Sequence, residues 1–283
     1  MSTAALRPAA PPTPVTRRAA RRALYIDFEG RIGTPPVVLG VLHDTRYQVF
    51  LLDEAFRPLA RSNAIPDATV RVCSLDDAVA ELVRLAGAGQ GRRIVAFSEF
   101  ELHVVREHTR TLVDAFATSY LNILAEFRRW YHRTRQSRPL ESFGLDACET
   151  WTGYQRPADA NCEPADLLRR LREQLDTASR RGVVPGAHTI ALWTQLVRYN
   201  QHDCLGMRHL AGYVAEACSA EAHVQRQQAL ADAAKRKRRR DARRTGAPPT
   251  PSPPRSPAAT ARIARADGQT ARNQKVTDRS PVP

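Results

Sequence analysis

Residues 24–30, Leu-Tyr-Ile-Asp-Phe-Glu-Gly, constrain this chain more than any other stretch. Successive side chains of a β-strand point to opposite faces, so Leu24, Ile26 and Phe28 share one face while Asp27 and Glu29 share the other. Two like charges side by side at a half-buried position repel unless something positive sits between them. A divalent cation with hard oxygen ligands meets that need. The plainer alternative is an edge strand whose acids face water.

Further along, residues 189–217 read as one long helix. One stripe runs Ile190, Trp193, Val197, Asn200, Cys204, Met207, Ala211 and Val214 in steps of three and four. The neighbouring stripe runs Leu192, Leu196, Tyr199, Asp203, Gly206 and Leu210. Asp203 therefore lies among apolar neighbours, one turn after Tyr199 and on the same face. A carboxylate there is costly without a cation or a donor. It serves as a metal ligand or pairs with Arg198 or Arg208. Between these stretches, Arg92 to Ser98 reads as a buried strand and Glu99 to Glu107 as the helix after it. Strand-to-helix junctions of α/β sheets often carry function. Glu99 and Glu101 would also suit a helix N-terminus through its dipole, and Glu99 reads as exposed.

The remaining elements form a frame around these positions. Pro36 to His43 and Tyr47 to Asp53 follow the first strand closely, with a turn at Asp44 to Arg46, predicting an antiparallel meander. Residues 54–72 read as irregular. Ser74 caps a helix with Asp76 and Asp77 in its first turn. Residues 110–180 are largely helical, broken at Pro139 and around Gly153 to Pro164. Leu167, Leu168, Leu171 and Leu175 mark an amphipathic helix that stops at Gly182.

Charge divides the chain into three. The net charge is +14, but residues 23–220 hold 23 basic against 24 acidic residues. Residues 1–22 carry five arginines and no acid, and residues 221–283 carry 15 Lys and Arg against 5 acids. The expectation is a folded domain over 23–220 between a basic, disordered tail, 1–22, and a basic, mostly disordered tail, 221–283. The latter starts out helical near Gln225 and loses order past Thr245. Such tails are compatible with attraction to phosphate backbones. Five cysteines without a C-x-x-C pair argue against a disulfide framework or a zinc knuckle and suit a reducing, cytoplasmic setting. No apolar run approaches membrane-spanning length. His103, His108, His132 and His188 show no metal-ligand spacing. Trp130, Tyr131, Trp151 and Tyr154 read as core of a helical insert, with stacking on unpaired bases as the alternative.

D-x-E on a first strand, an acid after a later strand and Y-x-x-x-D on a late helix stand here in order. This arrangement resembles the DEDD exonuclease superfamily, and within it the YprB-type ribonuclease-H-like domains described as predicted RecB-family nucleases. The matching residues are Asp27 and Glu29, then Glu101, then Tyr199 with Asp203, over about residues 23–215. Where the superfamily's second motif usually ends in Asp with an Asn four residues earlier, this chain has Glu101 and Phe97. The resemblance implies an α/β, ribonuclease H-like mixed sheet with flanking helices and a helical insert. It implies a metal-dependent nuclease, a 3′–5′ exonuclease acting on DNA or RNA with a free 3′ end. Asp27, Glu29, Glu101 and Asp203 would hold two Mg²⁺ or Mn²⁺ ions roughly 3.5–4 Å apart. Tyr199 would orient the attacking water, since an unperturbed phenol titrates near ~10. The competing expectation is a nucleic-acid-binding or scaffolding protein that keeps the nuclease fold without turnover.

Overall fold

A computed structural model of the chain describes residues 15–31, 33–61, 68–87, 91–134, 136 and 138–244. The chain divides into two compact units, Met1–Gln225 and Arg226–Pro283.

The first unit is built on six strands: β1 (Leu24–Glu29), β2 (Val38–His43), β3 (Arg46–Leu51), β4 (Ala68–Val72), β5 (Ile94–Ala96) and β6 (Tyr120–Asn122). Their order across the sheet is β4-β3-β2-β1-β5-β6. β1, β2 and β3 form the expected antiparallel meander, with Asp44 at φ 54° in the tight turn that sets His43 opposite Arg46. β4 then pairs parallel to β3, β5 parallel to β1 and β6 parallel to β5. β1 is thus central, flanked on both sides and buried almost throughout.

Among the described residues, eight α-helices accompany the sheet: α1 (Arg17–Arg22), α2 (Leu75–Gly87), α3 (Phe100–His108), α4 (Val113–Ser119), α5 (Ile123–Thr134), α6 (Leu145–Thr152), α7 (Pro164–Arg181) and α8 (Ala187–Arg244). The alternation of β1 decides which helices cover which face. Leu24, Ile26 and Phe28 join Leu39, Val41 and Phe50 in a core with α2, α3 and α4. Tyr25 points the other way and packs with Val38, Leu42, Tyr47 and Val49 against α5, α7 and α8. Asp27 and Glu29 share that second face with α8. The structure is therefore a three-layer α/β/α arrangement in which each face of the sheet has its own apolar core.

Local chemistry explains several boundaries. The Ser74 hydroxyl accepts from the Asp77 backbone N–H at 3.1 Å, capping α2 as its sequence predicts. α7 begins at Pro164 and ends where Gly182 turns left-handed, its N–H and that of Val183 satisfying the last carbonyls.

Four expectations need correction. Within the stretch expected to be irregular, Glu54–Arg61 forms a 3-10 helix and Ala68–Val72 the strand β4, while residues 62–67 lie outside the described residues. The strand β6 lies inside the region expected to be helical. Residues 17–22 of the presumed tail form a helix capped by the Thr16 hydroxyl. The Tyr25 hydroxyl donates to the Ala20 carbonyl at 2.6 Å, so α1 is tied to the sheet. Finally α8 does not stop near residue 217 but continues to Arg244. In the second unit, residues 226–244 belong to this helix, and its side chains from Arg226 to Lys237 are exposed. The remainder of both expected tails, residues 1–14 and 245–283, lies outside the described residues.

Candidate metal centre

Two elements converge on one point of the α8 face of the sheet. β1 supplies Asp27 and Glu29, and α8 supplies Asp203 from its buried stripe. One carboxylate oxygen from each of the three lies within 4.8 Å of the others. Glu29 and Asp203 are buried and Asp27 is half-buried.

Asn200, one turn before Asp203, organises the strand side of this group. Its amide nitrogen donates to Asp27 Oδ2 at 2.6 Å, to the Asp27 carbonyl at 3.1 Å and to Glu29 Oε1 at 3.3 Å. Its amide oxygen accepts from the Tyr47 hydroxyl at 2.6 Å. A helix approaches a sheet this closely only where the sheet has no side chain in the way. Gly40 is the residue directly across from Asp27 on β2, and a Cβ there would overlap the Asn200 amide oxygen and crowd the Tyr47 hydroxyl. The glycine is thus required by packing rather than by backbone conformation.

The other side of Asp203 is organised by a charge. Arg156, in the segment between α6 and α7, donates through Nη2 to Asp203 Oδ1 at 2.5 Å and to both Glu149 oxygens at 3.1 Å. Its guanidinium also lies over the Tyr199 ring, 5.2 Å from the centroid. Arg198 and Arg208, the partners expected from sequence, go elsewhere. Arg198 pairs with Asp159, and Arg208 donates to the Asp44 carbonyl at 2.6 Å.

Glu101 is buried in the first turn of α3, beyond the end of β5. The Tyr120 hydroxyl of β6 donates to Glu101 Oε2 at 3.3 Å and also to the Ser98 carbonyl. Glu101 is not part of the tight group of three, yet its charge is felt by Asp27. Glu99 is exposed, as expected.

Burial and mutual repulsion raise the acids together. Asp27 is pushed well above the ordinary carboxylate range by burial, then by Glu29, Asp203 and Glu101. Burial and Asp203 raise Glu29 to about 8, against the opposing hydrogen bond from Asn200. Asp203 rises to about 6 by burial, restrained mainly by Arg156. Glu101 rises to about 7, again chiefly by burial. Carboxylates held in so unfavourable a state are what a bound cation relieves. The donor set is oxygen alone, which suits a hard divalent ion.

Trp130, Tyr131 and Trp151 of the insert belong to or pack on the core, whereas Tyr154 does not, its hydroxyl instead meeting His202 Nδ1 at 2.8 Å. Trp130 is buried, with Trp151 and Tyr213 edge to face against it and Phe127 tilted beside it; Phe143 meets Phe127, and Tyr131 meets Trp151, edge to face. Arg128 lies over the Phe143 ring, and Arg129 pairs with Glu126 at 2.8 Å. None of the histidines joins the acidic group among the described residues.

Sequence reasoning missed Asn200 as a site residue, and missed Glu149, Arg156 and Tyr120 altogether. Asn200 carried a signal, since it is the one amide in an otherwise apolar or sulfur-bearing stripe.

A mixed sheet with an antiparallel first hairpin, helices on both faces and acids at the central strand defines the ribonuclease H-like class. The RNase_H_2 family, described as RNase_H superfamily, matches residues 25–215, and the chain belongs to that family. No curated protein and no solved structure matches the chain. The family points to a metal-dependent nuclease acting on nucleic acid, and the acidic group is compatible with a divalent ion.

Proposed function

We propose that the chain is a DEDD-type, YprB-like nuclease that removes nucleotides from a free 3′ end. The observation that carries this reading is the convergence of Asp27, Glu29 and Asp203 within 4.8 Å, with Glu101 and Tyr199 beside them. Asp27, Glu29, Asp203 and Glu101 are the ligands for Mg²⁺ or Mn²⁺ in this reading. When bound, such ions activate water and stabilise the charge that develops on the departing oxygen.

The chain's own groups do the positioning. Asn200 locks the rotamers of Asp27 and Glu29, so their oxygens are set before any ion or substrate enters. Tyr199 keeps its phenolic proton, because burial and the nearby acids raise its pKa far above neutrality. It therefore orients a water or phosphate oxygen by donating a hydrogen bond and does not act as a base. Tyr120 anchors Glu101 at the β5 end of the site.

A largely apolar cleft of about 900 Å³ opens beside Gly30, the residue after Glu29, and is lined by Pro36, Leu52, Phe56, Leu168 and Arg172; the acids themselves do not line it. The folded domain is close to neutral by composition, so in this reading the ions carry the charge that attracts a polyanion, aided by the basic C-terminal segment.

The test offers purified protein with Mn²⁺ to end-labelled single- and double-stranded DNA and RNA. Release of mononucleotides from the 3′ end supports the proposal. Internal cuts would refute the exonuclease assignment, and inert substrates in every case would refute catalysis.

A further inference from the structure

Glu149 and Arg156 are built into the site, yet neither belongs to the acids that the proposed chemistry uses. Glu149 is 2 % exposed and comes from α6 of the helical insert. Its carboxylate rests directly on α8 at Gly206, where an added Cβ would overlap its Oε1. Gly206 is three residues after Asp203, so the two carboxylates stack along one face of the same helix. Arg156 bridges them, with its side chain 7 % exposed and in contact with Glu149 at 3.1 Å and Asp203 at 2.5 Å. A more exposed acid, Asp146, lies at 3.3 Å. A missing side chain on one helix, a buried acid on a second and a buried guanidinium between them form a seat made for a single cationic group.

We infer that Arg156 is a positioning residue that competes with the divalent ion for Asp203, with Glu149 as its alternative seat. The Asp203 carboxylate cannot give its full charge to both a guanidinium and a metal ion. The guanidinium fork reaches two carboxylates at once. Arg156 therefore gives up Asp203 and stays neutralised by Glu149, without being left as an unpaired buried charge. The pair sets how tightly the centre holds its ion and keeps Asp203 aimed at Asp27 and Glu29.

This inference rests on the metal-centre reading, and its test separates the two. Mn²⁺ is titrated calorimetrically into the full chain and into Arg156→Gln, Arg156→Lys and Glu149→Gln, with thermal melts to confirm folding. Removing the competitor tightens Mn²⁺ binding by about tenfold in Arg156→Gln, the scale of one nearby charge in a partly buried setting. Removing the alternative seat does the opposite: Glu149→Gln weakens binding by about threefold, since Arg156 then has only Asp203 to neutralise it. Arg156→Lys keeps the charge but cannot fork, and falls between wild type and Arg156→Gln; it also serves if the glutamine variant does not fold. Shifts in the same direction for Arg156→Gln and Glu149→Gln, or unchanged affinity in all three, would overturn the inference while leaving the metal centre standing. No saturable Mn²⁺ binding by the wild-type chain would overturn both.

Discussion

The two flanks of Asp203 are held by different means. On the strand side, Asn200 binds Asp27 and Glu29 through a neutral amide, and Tyr47 completes its hydrogen bonds. On the insert side, Arg156 binds Asp203 and Glu149 through a full charge. A neutral donor fixes the geometry of two acids without cancelling their charge, and so preserves the demand for a cation. A guanidinium fixes geometry and satisfies that demand at the same time. The strand flank is thus the part of the centre that calls for a metal, and the insert flank is the part that moderates it.

Removing Asp203, the residue both flanks share, should have the largest effect. Asp203→Ala should nearly eliminate Mn²⁺-dependent cleavage and weaken Mn²⁺ binding, because a ligand charge is lost. Cleavage assays and calorimetry on the folded variant check it, and wild-type Mn²⁺ affinity would defeat this reading of α8. Tyr199→Phe keeps the ring under Arg156 and deletes one hydroxyl. It should lower the catalytic rate by about 10²-fold with metal affinity nearly intact. Equal losses of rate and affinity would instead make Tyr199 a part of the metal centre.

The pH dependence of stability sharpens the contrast. Asp27, Glu29, Glu101 and Asp203 all titrate above their ordinary range in the folded chain. Below the unfolded carboxylate pKa they are protonated in both states and cost nothing. Above it the unfolded chain ionises first, so stability falls as pH rises from about 4 towards the Glu29 value of about 8. With chelator present the loss should be on the order of a few kcal/mol, followed by thermal melts across that range. Saturating Mn²⁺ should flatten the curve. A chelated protein whose stability rises over the same range would contradict the account of the acids.

Asn200→Ala gives the smallest change. It strips the donor from Asp27 and Glu29 and leaves the buried Tyr47 hydroxyl with only the long 3.5 Å contact to the Val197 carbonyl, at a cost of roughly 1–3 kcal/mol. Denaturant unfolding measures this. An unchanged midpoint would mean that the amide does not organise the strand flank.

The same two flanks differ in how far they were legible. Asp27, Glu29 and Asp203 stood out because a period of two on β1 and steps of three and four on α8 each put a charge where apolar neighbours made it conspicuous. The antiparallel meander followed from short apolar runs and their turn residues. β4 and β6 were missed for another reason. Tyr120–Asn122 is three residues long and lies between two helices, and it becomes a strand only because β5 offers it an edge. Arg156 and Glu149 left no periodic trace. They meet because the insert folds back on α8, and the one local hint, Gly206 within an otherwise well-filled helix, has meaning only once its neighbour is known. The continuation of α8 to Arg244 was obscured by its charge, which gives no apolar stripe to follow.

Whether the acids of β1 hold a divalent cation is decided by a calorimetric Mn²⁺ titration of wild type beside Asp27→Asn. The substitution removes one charge from a repelling group, so the folded variant should be no less stable in chelator than the wild type. The wild type should bind Mn²⁺ saturably and Asp27→Asn should lose that binding; equal Mn²⁺ affinity in the two proteins would rule out a cation held by the acids of β1.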